Sequence, residues 1–339
     1  MSWQAGLGAG VWLLLVGGDL AGVVSFGLIT ALLALAPLVV VPLGLELSAS
    51  QPPTPVFHVV RLVQPVGALA VVGALAMPAG VGAAVLAGAW LAVCLGVSAE
   101  GVGVWWRRPS LASGALARVA GFVSLSVGGA WLVLDRFGVR PLALPVEIVE
   151  LTAVHFHYAG FAAALIAGTA AGAVAPERRR LAAAATFAVL AGSPVVAAGF
   201  AVYGPLQIGG AVLLATGLLL LAWITVRHVP RVADRPAQVL LVVSSVAVVV
   251  PMVLAVQWAV GHNLGTPALS IADMALVHGV PNAFGFTLCG LLGWLRAGRL
   301  EQSDGLALKQ RDGGAPGPAL KQRSGSDPNP GRGTAGTGR

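Results

Sequence analysis

Apolar residues in this chain neither alternate with polar ones nor recur once per helical turn. They run on in blocks, most of them near the roughly 20 residues that a helix needs to cross the hydrocarbon core of a bilayer. Ten such blocks can be read, at about 6–18, 24–47, 62–77, 81–99, 117–134, 148–174, 181–202, 206–226, 239–260 and 271–295. The first is short, and Asp19 closes it. Tight polar or proline-glycine connections separate the others, such as Met77-Pro78-Ala79-Gly80, Pro176-Glu177-Arg178-Arg179-Arg180 and Tyr203-Gly204-Pro205. Pro37 and Pro42 remove backbone donors inside the second block and predict a kink there. The pattern predicts an all-α, polytopic transmembrane bundle of about ten spans.

The pattern changes near residue 298. Gly, Pro, Ser, Lys and Arg then dominate, and Ala307-Leu308-Lys309-Gln310-Arg311 recurs as Ala319-Leu320-Lys321-Gln322-Arg323. Such a segment cannot bury enough apolar surface to offset the entropy of ordering it. Residues 1–297 are therefore expected to form the membrane domain, and residues 298–339 a disordered basic tail.

Charge orients the bundle. Arg61, the group Arg107, Arg108 and Arg118, the run Arg178–Arg180, and the group Arg227, Arg231 and Arg235 fall on alternate connections. The intervening connections at 77–80, 203–205 and 261–270 hold no Lys or Arg, while that at 135–147 holds Arg136 and Arg140 beside Asp135 and Glu147. Under the positive-inside rule this places both termini in the cytoplasm of a cell whose plasma membrane holds the chain.

Composition agrees. Charged residues make up 10% of the chain, against about 25% in soluble domains. The bilayer is thus the expected partner. The net charge of +7 does not point to nucleic acid, because the positive residues sit in short connections and the tail. Cys94 and Cys289 fall in apolar blocks and are expected to be free thiols.

The candidate chemistry lies in two blocks. The sixth carries Glu147, Glu150, His155 and His157, and the tenth carries Asp273, His278 and Asn282. At 100° per residue Glu150 and His157 share a stripe, whereas His155 is turned about 200° from His157. One mononuclear metal cannot then take both histidines from a regular helix. His157 with Glu150, and His278 with Asn282, form the expected units, with His157 roughly 10–15 Å and His278 roughly 10 Å below the outer boundary. The ninth block delivers Gln257 and His262 to that side. Ionisable groups inside a membrane mark functional sites by default, so these residues predict a polar layer open to the outside. Nothing resembles a Ser/His/Asp triad or a zinc-protease motif, and no catalytic residue is assigned.

Three stretches carry a family resemblance. They are Val40-Val41-Pro42-Leu43-Gly44-Leu45, the run Thr152 to Phe161 around His155-Phe156-His157, and His278-Gly279-Val280-Pro281-Asn282-Ala283-Phe284-Gly285-Phe286 with Gly293-Trp294. Over about 24–295 the chain resembles the YndJ-like family of bacterial integral membrane proteins, with Pro281 a departure from the family pattern. The resemblance implies a multi-span membrane protein without an assigned activity. In general form the His-x-His motif is also similar to NnrS-type and haem–copper membrane proteins, where histidines hold haem or metal.

Three functions follow as expectations. One is binding of haem or a transition metal by His155, His157 and His278, with Glu147, Glu150, Gln257, Asp273 and Asn282 in support. The second is a permease for a small molecule or ion, coupled to protons through Glu150, His157, Asp273 and His278. The third is a scaffold or sensor in which the histidines carry no chemistry.

Overall fold

The computed structural model describes residues 3–23, 25–49 and 53–298. The expected tail, from residue 299 on, lies outside the described residues. The hydrophobic blocks become helices α1 (Trp3–Leu20), α2 (Leu28–Leu47), α3 (Pro55–Leu75), α4 (Val81–Arg107), α5 (Ser113–Phe137), α6 (Val146–Ala173), α7 (Pro176–Ala201), α8 (Gly204–Arg231), α9 (Arg235–Leu264) and α10 (Ile271–Gly298). No strand occurs among the described residues. Cys94 and Cys289 are free.

Nine of these helices, α2 to α10, are long and apolar enough to cross a membrane. The expected count of ten falls to nine because α1, with polar Gln4 and Asp19 near its ends, is not among them. It nevertheless packs lengthwise and antiparallel on α2. Gln4 Nε2 donates to the carbonyl of Arg61 (2.5 Å) and Trp12 Nε1 to that of Ala31 (2.7 Å). Between them Gly8 lies against Leu38, where a Cβ would fall 1.8 Å from the carbonyl oxygen. Leu13, Leu14 and Leu20 of α1 are exposed.

Burial sorts the remaining helices. The most apolar windows of α2 and α6 are 78% and 72% buried, against 33% for α3, α4, α9 and α10. By this measure α2 and α6 form the centre of the bundle. The outer helices turn leucine and valine outward, as at Leu62, Val66 and Leu69 of α3 and Val246, Val250 and Val253 of α9. These faces suit contact with lipid chains. Because lipid is as apolar as leucine, helices in a membrane gain cohesion by close packing at small residues. Between α7 and α8, Gly192 and Gly199 face Leu214 and Gln207, and Gly210 and Gly217 face Val195–Val196 and Ala188–Val189. A Cβ at Gly199 would fall 2.2 Å from the Gln207 nitrogen, so the two backbones touch.

Contacts at the helix ends tie several of the connections together. On the arginine-bearing side, Thr54 before α3 and Arg118 early in α5 meet at buried Glu100 near the end of α4. Thr54 donates to Glu100 at 2.5 Å, and Arg118 pairs with it at 3.4 Å. Asp234 caps α9 by accepting from the Ala237 amide (3.1 Å) and is paired with Arg296 at the end of α10. The Arg296 guanidinium holds the Asp234 carboxyl below the usual carboxylate range. On the opposite side the Gly80 amide bonds the Arg136 carbonyl, tying the α3–α4 turn to the end of α5 (2.8 Å).

Four segments inside the helices wind more loosely than an α-helix. They are π-helical turns at Ala36–Val40 in α2, Phe156–Ala162 in α6, and Ala275–Gly279 and Pro281–Leu288 in α10. π turns inside α-helices often occur at functional sites. Those of α6 and α10 coincide with the two histidine segments.

Candidate functional site

The π turn of α6 starts at Phe156, between the two histidines, so a regular 100° step no longer predicts which residues align. Glu150 faces α2 and accepts a hydrogen bond from the Thr30 hydroxyl at 2.8 Å. His157 faces α4 and α5 and is fully buried. The expected His157–Glu150 unit does not form: Glu150 is bonded to Thr30 of α2, and His157 to Trp90 of α4.

The protonation pattern of His157 follows from its partners. Trp90 Nε1–H can only donate, and it reaches His157 Nε2 at 3.0 Å. That nitrogen must therefore be bare. Nδ1 carries the proton and donates it to the Ala153 carbonyl at 2.7 Å. The two rings stack with centroids 6.0 Å apart. Gly128 of α5 makes room for them, since a Cβ there would sit 2.7 Å from His157 Nδ1. Both nitrogens are used inside the protein, leaving none for a metal.

His155 faces α7, where its Nε2 lies 2.9 Å from the Ser193 hydroxyl and 3.3 Å from the Ser193 carbonyl. The close α7–α8 crossing at neighbouring Gly192 fixes the position of Ser193. In α10, His278 Nδ1 lies 2.8 Å from the Pro251 carbonyl of α9, an acceptor, so Nδ1 carries the proton. A neutral imidazole has one N–H. Nε2 is therefore bare, and the Asn282 atom 3.2 Å from it is the donating amide nitrogen. This turns Asn282 Oδ1 away from His278, where it is buried with no hydrogen-bond partner among the described residues. An acceptor left unmade in this way costs about 1–3 kcal/mol.

His155, His278 and Asn282 line one cavity of about 270 Å³. Six helices wall it: α2, α6, α7, α8, α9 and α10. Every wall segment belongs to the membrane half away from the arginine-rich connections, or to the middle. Thr152, Tyr158, Gln207, Trp258 and Thr287 complete the polar lining, and no Asp, Glu, Lys or Arg side chain lines it among the described residues. Three of these polar groups are already engaged. Tyr158 donates to the Leu32 carbonyl (2.9 Å), Trp258 to that of Leu269 (3.1 Å), and Gln207 accepts from Asn263 (2.8 Å).

The remaining candidates lie elsewhere. Glu147 is exposed. Gln257 is exposed and donates to the Pro267 carbonyl at 2.6 Å. Asp273 is exposed too and accepts from Ser270, whose own side chain caps the start of α10. His262 stacks on Trp258 with centroids 4.8 Å apart. Sequence reasoning missed Thr30, Trp90 and Ser193. Each is a single polar group in an apolar block, and its partner becomes visible only when the helices are assembled. The neighbouring Pro194 inside α7 was the one local signal for Ser193.

The expected metal or haem site fits poorly. Among the described residues no group of three or more His, Cys, Asp or Glu side chains is positioned to hold a metal ion. Two axial imidazoles would need free nitrogens on both His155 and His278, and those of His278 are taken by Pro251 and Asn282.

Bundle and cavity together define a multi-pass helical membrane protein with an uncharged pocket inside the membrane. The YndJ-like protein family model matches residues 31–286, and the chain belongs to that family. The uncharacterized membrane protein YndJ of Bacillus subtilis (strain 168) is 25% identical over 174 residues, which cover 51% of this chain and 31% of the relative. The match thus spans about a third of that relative's length. No solved structure matches. These matches carry the YndJ-like resemblance and not the likeness to NnrS-type or haem–copper proteins.

The hydrogen-bond pattern separates a strut from a pocket wall. Replacing His157 with alanine strands the Trp90 N–H and opens a void at the centre, at a cost of about 2–4 kcal/mol. His155→Ala, at the cavity wall, costs less than about 1.5 kcal/mol. Thermal unfolding in detergent should show His157→Ala melting well below the wild type and His155→Ala close to it. The reverse order would show that the two roles are misassigned.

Proposed function

We propose that this protein binds a small, neutral, largely apolar molecule in the cavity between α6 and α10, on the outer side of the plasma membrane. The observation that carries this reading is a cavity lined by apolar side chains, with a few polar groups and no charge. Ligand pockets have this general make-up, and the volume lies near the lower end of their usual range of about 300–1000 Å³. An ionic ligand would lose its hydration there and meet no counter-charge. Carriage of the molecule across the membrane would also need a passage to the arginine-rich side. The polar groups of the cavity all belong to the other half, so binding is the reading retained over transport.

Butylbenzene is a suitable first probe. A ligand that binds the folded state raises its melting temperature. Butylbenzene should therefore raise that of the wild type in detergent, and Ala159→Phe, which fills the cavity, should abolish the rise. An equal rise in both proteins would mean that the probe acts through the micelle, and the reading would fall.

Orientation is tested separately in a chain whose two cysteines are replaced by serine. Thr266→Cys, in the connection before α10, should react with a membrane-impermeant maleimide in intact cells. Ala112→Cys, beside the arginines before α5, should react only after permeabilisation. The opposite pattern would place the cavity on the cytoplasmic side.

A further inference from the structure

Resting on the reading that the cavity holds a neutral, largely apolar molecule, we infer that this molecule carries a carbonyl oxygen at one end, and that the oxygen accepts a hydrogen bond from Gln207 Nε2.

At the end of α9 the Ala259 carbonyl can only accept, so the Asn263 side-chain atom 2.8 Å from it is the amide nitrogen. That nitrogen has a second hydrogen and lies 2.8 Å from Gln207, whose atom there must be the accepting Oε1. The Gln207 amide is thereby set, with Nε2 at its other corner. Close packing at two glycines holds both residues in place. A Cβ at Gly199 would fall 2.2 Å from the Gln207 nitrogen, and one at Gly204 would fall 2.0 Å from Asn263 Oδ1.

Gln207 is 2% exposed and lines the cavity. Its Nε2 has no acceptor among the described residues. The unpartnered polar atoms that are fully enclosed among those residues are Arg118 Nε, Asn282 Oδ1 and Trp294 Nε1. Gln207 Nε2 is not one of them, so a molecule in the cavity can reach its N–H. An apolar molecule that displaces water from this donor leaves it unmade, whereas a carbonyl oxygen restores the bond.

The other polar groups of the wall do not select in this way. Thr152, Tyr158 and Trp258 donate to the carbonyls of Ile148, Leu32 and Leu269. The Thr287 hydroxyl can donate or accept. So can the His155 ring nitrogen that Ser193 leaves over, according to tautomer. Gln207 Nε2 can only donate. Its position also sets which end of the ligand is polar. Along α8 the wall runs from Gln207 through Ala211 and Leu214 to Leu218, about 16 Å at a rise of 1.5 Å per residue. Beyond Gln207 this strip is apolar. The carbonyl therefore sits near the start of α8, and the hydrocarbon body points toward the middle of the bundle.

Two probes of one shape isolate the oxygen. Para-butylacetophenone ends in a ketone, and para-butyl-α-methylstyrene has a CH2 group in place of that oxygen. Each is titrated by calorimetry into wild type, Gln207→Met and Thr287→Val in the same detergent, with butylbenzene as the reference for the cavity itself. Affinities are referred to the probe concentration within the micelle. In the wild type the ketone should bind about tenfold more tightly than the styrene, which corresponds to ~1.4 kcal/mol. The preference should vanish in Gln207→Met and persist in Thr287→Val, while butylbenzene binds all three proteins. Equal binding of ketone and styrene by the wild type would overturn the carbonyl assignment and leave the cavity reading standing. A preference that survives in Gln207→Met, or one that Thr287→Val abolishes, would overturn it as well. Binding of none of the probes by the wild type would sink both readings. Where Gln207→Met does not fold, Gln207→Leu takes its place, and the wild-type comparison decides by itself if no preference appears.

Discussion

A hydrogen bond left unmade inside a bilayer has no water to repair it, and the interior of this protein is arranged around that constraint. Each imidazole carried into the apolar bundle meets a partner on another helix. His157 takes the Trp90 N–H, His155 meets Ser193, and His278 gives its proton to Pro251. These bonds fix the direction in which α6 and α10 face. The π turns in both helices lie at the same residues, where side chains are re-aimed away from the stripe that a regular helix would give them. Asn282 Oδ1, buried beside His278, is left without a partner among the described residues.

The division of labour among the histidines follows from packing. His157 sits at the most buried part of the bundle, with both nitrogens satisfied and a glycine of α5 pressed against it. It behaves as a strut between α6 and the α4–α5 pair. His155 and His278 line the cavity instead. The cavity exists because six helices converge there without a large side chain to fill the space. Small residues such as Ala159, Ala211, Ala275 and Gly279 form part of its wall.

Much of this fold was legible in the sequence. Block lengths gave the helices nearly one for one, and the alternating arginines gave the pairing of their ends. The two blocks holding the site were also legible, because imidazoles are rare in such segments. Their pairing was not. A helical wheel places Glu150 beneath His157, but it does not say which neighbouring helix each side chain meets: Glu150 bonds Thr30 of α2 and His157 bonds Trp90 of α4. Thr30, Trp90 and Ser193 were invisible for the same reason. Each becomes a partner only through contact between helices far apart in the chain, by 120, 67 and 38 residues.

The orientation of Asn282 depends on which nitrogen of His278 carries the proton. Nitrogen-15 spectroscopy of histidine-labelled protein in lipid bilayers reads this directly, with the His278 signals assigned by their loss in His278→Gln. The account predicts a neutral ring protonated at Nδ1, with Nε2 bare and accepting a hydrogen bond. A ring protonated at Nε2 would turn the Asn282 oxygen toward His278 and leave the Pro251 carbonyl without its donor, contradicting the account.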